Sequence, residues 1–172
     1  INFQNIKNVG IRVDFNVPIN DSFQITDNTR LIRAKDTIDF VSKNESKILL
    51  LSHFGRPKES FDEKFSFKNL IDQFSNILGY EIQLLPYEEF LQNGLQQFKK
   101  GTNKITLLDN IRFFEGEKKN DKSFSQSITN ELDLFINEAF SASHRSHASV
   151  NQMAKNILSA PGLNFSKEVM AI

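Results

Sequence analysis

The stretch ILLLSHFGRPK, from Ile48 to Lys58, constrains the fold of this chain more than any other. It begins with four consecutive apolar residues, and a short apolar run of this kind predicts a strand that is buried on both faces. Gly55 and Pro57 end this strand. His53 and Arg56 then lie at its carboxyl end, which is the edge where ligands bind in open α/β sheets. A planar cation beside a titratable donor suits an anion such as phosphate, although a solvated surface turn is the alternative.

Elsewhere the apolar residues alternate between strand spacing and helix spacing. Strands are predicted over residues 9–15, 47–52, 81–85, 104–108 and 133–137, and helices over residues 29–43, 66–78, 87–98, 124–132, 150–158 and from 165 onward. This alternation predicts an α/β protein, a three-layer αβα, Rossmann-like domain with a mainly parallel sheet of about six strands. A chain of 172 residues is expected to form one such domain.

The composition excludes several classes of protein. The chain has 21 basic and 21 acidic side chains, and a net charge of zero argues against nucleic-acid binding through bulk positive charge. The absence of cysteine excludes a disulfide framework and thiolate chemistry. No apolar stretch approaches the ~20 residues of a membrane span, and the N-terminus shows no secretory signal, so we expect a cytoplasmic protein. The charged run over residues 118–122 is interpreted as solvated surface.

Polar and cationic side chains follow the carboxyl ends of four predicted strands. Because parallel strands place these ends along one edge of the sheet, several arginines converge there and form a pocket for a small, multiply charged anion. Asp14 and Asn16 add the donors and acceptors that suit a hydroxyl or carboxylate. The residues alone therefore predict a small phosphorylated, hydroxylated or carboxylated ligand. The side chains concerned are Asp14, Asn16, His53, Arg56, Asn110, Arg112, Glu138, His144, Arg145 and His147, with Arg30 at the start of the first helix.

Other interpretations of these residues stay open. Asp14 is also placed to cap nearby backbone N–H groups or to pair with Arg12. His144 and His147 have a spacing that binds metal on a helix, but Arg145 lies between them and no cysteine accompanies them, which argues against a metal site. The chain has no GxGxxG, GxxxxGKS/T or GxSxG motif, so no cofactor site is predicted within it.

Five motifs carry a resemblance to a known family. They are RVDFNVP (residues 12–18), DNTR (27–30), LLSHFGRPK (50–58), LLDNIRF (107–113) and INEAFSASHRSHAS (136–149). In this order and spacing they resemble the N-terminal, 3-phosphoglycerate-binding domain of phosphoglycerate kinase, over essentially the whole chain. The resemblance implies that residues 1–172 form a single domain that ends at the start of the inter-domain helix.

The resemblance also implies an activity. Phosphoglycerate kinases are two-lobed enzymes that transfer a phosphoryl group reversibly between ATP/ADP and 3-phosphoglycerate/1,3-bisphosphoglycerate in glycolysis. The N-lobe binds the phosphoglycerate, and a nucleotide lobe, which residues 1–172 do not include, binds Mg-ATP or Mg-ADP. On this basis we expect a monomeric lobe that needs the nucleotide lobe as its partner and is inactive without it.

The family roles transfer to the positions that match its motifs. The resemblance assigns the grip on the phosphate to His53, Arg56, Arg112 and Arg145. Asp14 and Asn16 correspond to the residues that hold the hydroxyl and carboxylate end. The resemblance implies that Arg30 faces the transferring phosphoryl group, and Arg30 is the one residue given a catalytic role, by analogy with arginine fingers that are worth about 10³–10⁵ in rate.

Several positions depart from the family pattern. Glu138 stands where aspartate is usual and Ser141 where glycine is usual, so the loop that carries Arg145 could be displaced. Glu138 and His144 are therefore assigned only a supporting role. The alternative to an enzyme lobe is a non-catalytic phospho-acid-binding module or decayed paralogue, and a different sugar-phosphate enzyme on a similar sheet is a third possibility.

Overall fold

A parallel sheet forms the centre of the molecule. The computed structural model describes residues 3–58, 60–139 and 147–163. The strands are β1 (Asn8–Arg12), β2 (Lys47–Leu51), β3 (Ile82–Leu85), β4 (Ile105–Leu108), β5 (Leu134–Asn137) and β6 (Ser159–Pro161). Within these described ranges the six strands pair in the order β3-β4-β2-β1-β5-β6, and every pairing is parallel. The predicted mainly parallel, Rossmann-like sheet is confirmed.

Helices connect the strands and cover both faces of the sheet. They are α1 (Thr29–Ser42), α2 (Ile71–Leu78), α3 (Tyr87–Asn93), α4 (Gln96–Lys100), α5 (Glu115–Lys118), α6 (Lys122–Thr129) and α7 (Gln152–Asn156). Helices α1 and α2 contribute to the apolar cluster on one face, and α3, α4, α6 and α7 to the cluster on the other. The arrangement has the three layers that the sequence predicts. None of the helices among the described residues could span a lipid bilayer.

The apolar run in β2 is buried on both faces, as predicted. Ile48 and Leu50 belong to the cluster on one face, whereas Leu49 and Leu51 belong to the cluster on the other. All four side chains are fully buried. This double burial explains why the strand has no polar alternation and reads as a continuous apolar run.

Several predicted boundaries were wrong. The helix predicted over residues 66–78 begins only at Ile71, because 3-10 turns at Glu63–Phe65 and Phe67–Asn69 precede it. The single helix predicted over residues 87–98 is two helices, because Gly94 adopts φ +59° and ψ −135° and interrupts it. The polar connector at 118–123 contains the end of α5 and the start of α6, where Asp121 accepts a hydrogen bond from Phe124 N at 3.0 Å.

The carboxyl edge of the sheet gathers the loops that carry the predicted site. Strand β1 ends at Arg12, three residues earlier than predicted. Beyond it, Val13 N donates to Leu51 O and Phe15 N donates to Ser52 Oγ, both at 2.9 Å, so residues 13–15 remain bonded to the end of β2 and the residue that follows it. Since β4, β2, β1 and β5 are neighbours in the sheet, the loops that follow them lie side by side.

Candidate functional site

Asp14, Asn16 and Arg30 form a cluster beyond the end of β1, called the β1 cluster below. Arg30 Nη1 lies 3.4 Å from Asp14 Oδ1 and also donates to the Asn16 carbonyl oxygen. Asp14 Oδ1 accepts a further hydrogen bond from Asn16 N at 3.2 Å. The Arg30 side chain is 46% exposed and that of Asp14 is 16% exposed. The structure therefore brings three predicted site residues together around a guanidinium that is half open to solvent.

Gly55 connects the β1 cluster to the next loops of the edge. Its N–H donates to Asn16 Oδ1 at 2.9 Å, and its carbonyl oxygen accepts from Arg112 Nη1 at 3.3 Å. Gly55 has φ +62°, and a Cβ at this position would lie 2.5 Å from the Phe65 ring. Glycine is required here by both its left-handed backbone and its close packing. The residue that ends the strand thus also joins Asn16 to Arg112.

Asn110 is a buried support for these loops. Its Oδ1 accepts from Phe54 N at 3.2 Å and Arg112 N at 3.1 Å, and its Nδ2 donates to Phe54 O at 2.6 Å and Phe65 O at 3.1 Å. These four bonds use the full capacity of a side-chain amide. Asn110 therefore holds protein loops together, whereas the sequence grouped it with residues that face a ligand.

A cationic cleft of about 380 Å³ lies beside the β1 cluster; it is lined by Arg56, Pro57, Arg112, Lys118 and His147. Arg56 is exposed, whereas Arg112 is only 7% exposed. Lys118 Nζ donates to the Pro57 carbonyl oxygen at 3.2 Å. Lys118 is exposed, as its interpretation as part of a solvated run expects, but it also lines the cleft, which the sequence did not indicate because helix α5 was not predicted.

A buried arginine that the sequence analysis did not select underlies the site. Arg12 is 1% exposed. Its Nη2 lies 3.0 Å from His53 Nδ1, its Nε donates to Ser149 Oγ at 2.9 Å, and its Nη1 donates to Val13 O. Because a guanidinium can only donate, His53 Nδ1 must accept, and the proton of the neutral ring then lies on Nε2. An arginine between Ile11 and Val13, within a predicted strand, was a sequence signal for this role.

Glu117 is a second functional candidate that the sequence did not reveal. It is fully buried on α5, where Oε1 accepts from Ser149 N at 2.6 Å and Oε2 accepts from Ser149 Oγ. Burial raises the pKa of Glu117, and the positive charges of Arg12 and Arg112 and the hydrogen bonds from Ser149 oppose that rise. A buried carboxylate thus lies close to two cations of the site.

The carboxylate of Glu138 contacts α1 and the end of β6. Its Oε2 accepts from Thr37 Oγ1 at 2.6 Å. A Cβ at Gly162 would lie 1.5 Å from the same oxygen, so Glu138 packs directly against this glycine. The longer side chain at the family's usual aspartate position is accommodated by Gly162 and Thr37. His144 and Arg145, which the sequence assigns to support and to the phosphate grip, lie outside the described residues.

The described residues suit an anion better than a metal ion. Among residues 3–58, 60–139 and 147–163 there is no group of three or more histidine, cysteine, aspartate or glutamate side chains that could hold a metal. Charged donors converge instead at the carboxyl edge of the sheet, where open α/β proteins bind ligands. The fold and the site together define an α/β domain with a cationic cleft at the carboxyl edge of its parallel sheet.

A comparison with known protein families shows to which family this α/β domain belongs. All 172 residues match the family model described as phosphoglycerate kinase, so the chain belongs to the phosphoglycerate kinase family. It is 40% identical over 165 residues to the phosphoglycerate kinase of Wolbachia sp. subsp. Drosophila simulans and 41% identical over 165 residues to that of Helicobacter hepaticus. Each match covers 95% of this chain, and the chain spans 40% of the length of these curated relatives.

Solved structures agree with the family assignment. The structure of phosphoglycerate kinase from Coxiella burnetii superposes with a TM-score of 0.81 at 30% identity, covering 96% of this chain and 41% of the other. That of the Pyrococcus horikoshii enzyme superposes with a TM-score of 0.84 at 24% identity, covering 99% of this chain and 43% of the other, and supports the fold alone. The resemblance drawn from the five motifs is confirmed.

Proposed function

We propose that residues 1–172 are the N-terminal domain of a phosphoglycerate kinase and bind 3-phosphoglycerate or 1,3-bisphosphoglycerate for reversible phosphoryl transfer with ATP/ADP in glycolysis. Membership of the family and the names of the relatives support this function. The observation that carries it is the junction at Gly55, which joins the β1 cluster to Arg112 of the cationic cleft. A hydroxy-acid end and a phosphate end of one small molecule fit two such neighbouring groups.

The ligand is proposed to lie with its phosphate in the cationic cleft. Arg56 and Arg112 supply donors that match phosphate oxygens, and His53 donates through Nε2. Asp14 and Asn16 take the hydroxyl and carboxylate end, and Arg30 stabilises charge on the transferring phosphoryl group. The roles of Arg145 in the grip and of His144 and Glu138 in support rest on the sequence resemblance.

The nucleotide is proposed to bind to a second lobe. The described residues offer no acidic cluster for Mg²⁺, and the sequence has no phosphate-binding glycine motif, so they do not fit Mg-ATP or Mg-ADP. This chain contributes acceptor binding, orientation and the charge of Arg30, and turnover requires the nucleotide lobe as partner. A monomeric state and a cytoplasmic location belong to the same proposal.

Isothermal titration of the 172-residue chain with 3-phosphoglycerate tests the binding function. Arg56→Met removes a charge from the exposed rim of the cleft, so we expect binding to weaken at least about tenfold while the fold is retained. Arg33→Met removes the same charge from the exposed face of α1, outside the cleft and the β1 cluster, and should change the affinity less than about twofold. Glycerate, which lacks the phosphate, should bind far more weakly.

Two outcomes contradict the proposed binding function. One is a folded sample that shows no binding at millimolar 3-phosphoglycerate, and the other is equal binding of glycerate. A non-catalytic module would pass this test, so the chain is also joined to the nucleotide lobe of a relative and assayed for turnover. Turnover supports the enzyme lobe, and binding without turnover supports the module.

A further inference from the structure

A continuous set of buried hydrogen bonds leads from α5 to the site. The carboxylate of Glu117 accepts hydrogen bonds from both Ser149 N and Ser149 Oγ. Ser149 Oγ in turn accepts a hydrogen bond from Arg12 Nε, and Arg12 Nη2 contacts His53 Nδ1. Glu117 and Ser149 are fully buried and Arg12 is 1% exposed. Neither Glu117 nor Ser149 has a role in the proposed grip on the ligand, although Ser149 lies two hydrogen bonds and Glu117 three hydrogen bonds behind His53.

The direction of each hydrogen bond in this set is fixed by chemistry. Ser149 has two donors, N–H and O–H, and the two oxygens of Glu117 accept one each. The Ser149 hydroxyl, with its proton directed at Glu117, can offer a lone pair to the Nε–H of Arg12. Arg12 then donates to Nδ1 of His53, and the ring proton is left on Nε2.

The charges favour the same arrangement. Arg12 and Arg112 both act on Glu117 as nearby positive charges, so the buried carboxylate offsets part of the charge of two guanidinium groups beneath the cleft. The backbone carbonyl of Glu117 also accepts from Ala148 N at 3.0 Å. Helix α5 therefore holds the segment that follows His147, a residue of the cleft, by main-chain and side-chain bonds together.

We infer that Glu117 and Ser149 are positioning residues: they orient Arg12 so that His53 carries its proton on Nε2, the form that donates to an anion. The part of this inference that concerns the ligand rests on the proposed function. The tautomer of His53 does not depend on that function, because it is a property of the free protein.

The first test is the tautomer of His53 by ¹⁵N NMR of the unliganded chain. Protonated and bare imidazole nitrogens give well-separated shifts, and His53→Gln assigns the signal among the three histidines. We expect wild-type His53 in the neutral Nε2–H form. Glu117→Gln has one acceptor oxygen for the two donors of Ser149, so it should release Arg12 and give a mixture of tautomers with the fold retained.

The second test is the affinity for 3-phosphoglycerate. Glu117→Gln and Ser149→Ala should each weaken binding about tenfold, and the double variant should lose little more than either, because both changes break one set of bonds. Glu115→Gln is the matched control: it removes the same charge from α5, but Glu115 is 79% exposed and pairs with Lys119. Its affinity and its His53 signal should remain those of the wild type.

The outcomes separate this inference from the proposed function. A wild-type His53 with its proton on Nδ1, or a folded Glu117→Gln chain with unchanged tautomer and affinity, overturns the positioning role. Additive losses in the double variant also overturn it. If Glu117→Gln does not fold, Ser149→Ala and the wild-type spectrum decide. A folded wild type that does not bind 3-phosphoglycerate refutes the proposed function, and the tautomer measurement still decides the positioning role.

Discussion

Asp109 illustrates, at the scale of a single residue, how a buried charge can organise the loops of the site. It follows β4 and is 2% exposed. Its carboxylate accepts from Ser66 Oγ at 2.7 Å and from the N–H groups of Phe67 and Asn110, both at 2.8 Å. Burial raises the pKa of Asp109, and the three hydrogen bonds oppose the rise. The carboxylate thus ties the turn that precedes α2 to the loop that carries Arg112.

Replacing Asp109 by asparagine should change how stability depends on pH. The folded-state pKa lies above the usual 3.8, so the folded chain binds more protons than the unfolded chain between the two values. The stability that Asp109 contributes to the wild-type protein is fully present below pH 3.8 and is lost as the pH rises through the folded-state pKa. Asparagine does not titrate, so the unfolding free energy of Asp109→Asn, measured relative to the wild type, should rise with pH across this window and then level off.

Urea unfolding of both proteins, from about pH 3 to about pH 8, measures this difference. Below 3.8 both side chains are neutral in the folded state, so the difference there isolates the effect of changing the hydrogen bonds and serves as the internal control. A difference that is constant with pH, or that falls as the pH rises, contradicts the raised pKa.

At the scale of the elements, Lys47 joins the central sheet to α4. Its Nζ donates to the carbonyl oxygens of Phe98 at 3.0 Å, Lys99 at 2.8 Å and Gly101 at 2.6 Å. The last carbonyl groups of a helix have no partner within the helix and carry partial negative charge. An ammonium group from the first residue of β2 satisfies them and holds this short helix against the sheet.

Lys47→Met should therefore destabilise the fold by about 1–2 kcal/mol, because methionine retains the apolar stem but not the donors. Lys104→Met is the matched control, since Lys104 is exposed and lies just before β4; its effect should stay within about 0.5 kcal/mol. Urea unfolding of the two variants measures both effects. Equal unfolding free energies for the two variants contradict the capping role.

The elements that sequence could predict were those with a strong local pattern. The apolar run of β2 and the helical spacing of α1 gave boundaries within one residue of the observed ones. Strand β6 was missed because its three residues are not buried and carry no apolar pattern. It exists because Phe135 N donates to Leu158 O and Gly162 N donates to Asn137 O, both pairings with the neighbouring β5.

At the scale of the whole molecule, the order of the strands made part of the site predictable. The sequence located the loops that follow β1, β2, β4 and β5, and the parallel sheet brings these loops to one edge. Arg12 and Glu117 were missed because their partners are remote in sequence: the bond from Arg12 to Ser149 spans 137 positions. No local pattern predicts which buried polar side chains will meet across such a distance.

The same topology predicts an uneven distribution of local stability. Strand β1 pairs on both sides, with β2 and β5, and Val9 and Ile11 are fully buried, so exposing its amides requires disruption of the core. Within the described ranges β6 is an edge strand that pairs only with β5, and Ser159 and Pro161 are exposed. Native-state hydrogen exchange should therefore show the slowest amides in β1 and β2 and much faster exchange at Ala160.

The opposite edge of the sheet is the control: Ile82 and Leu85 of β3 are buried, so the amides of β3 should exchange at intermediate rates. Exchange at Ala160 as slow as that in β1 would show that β6 opens only with global unfolding and contradict this prediction.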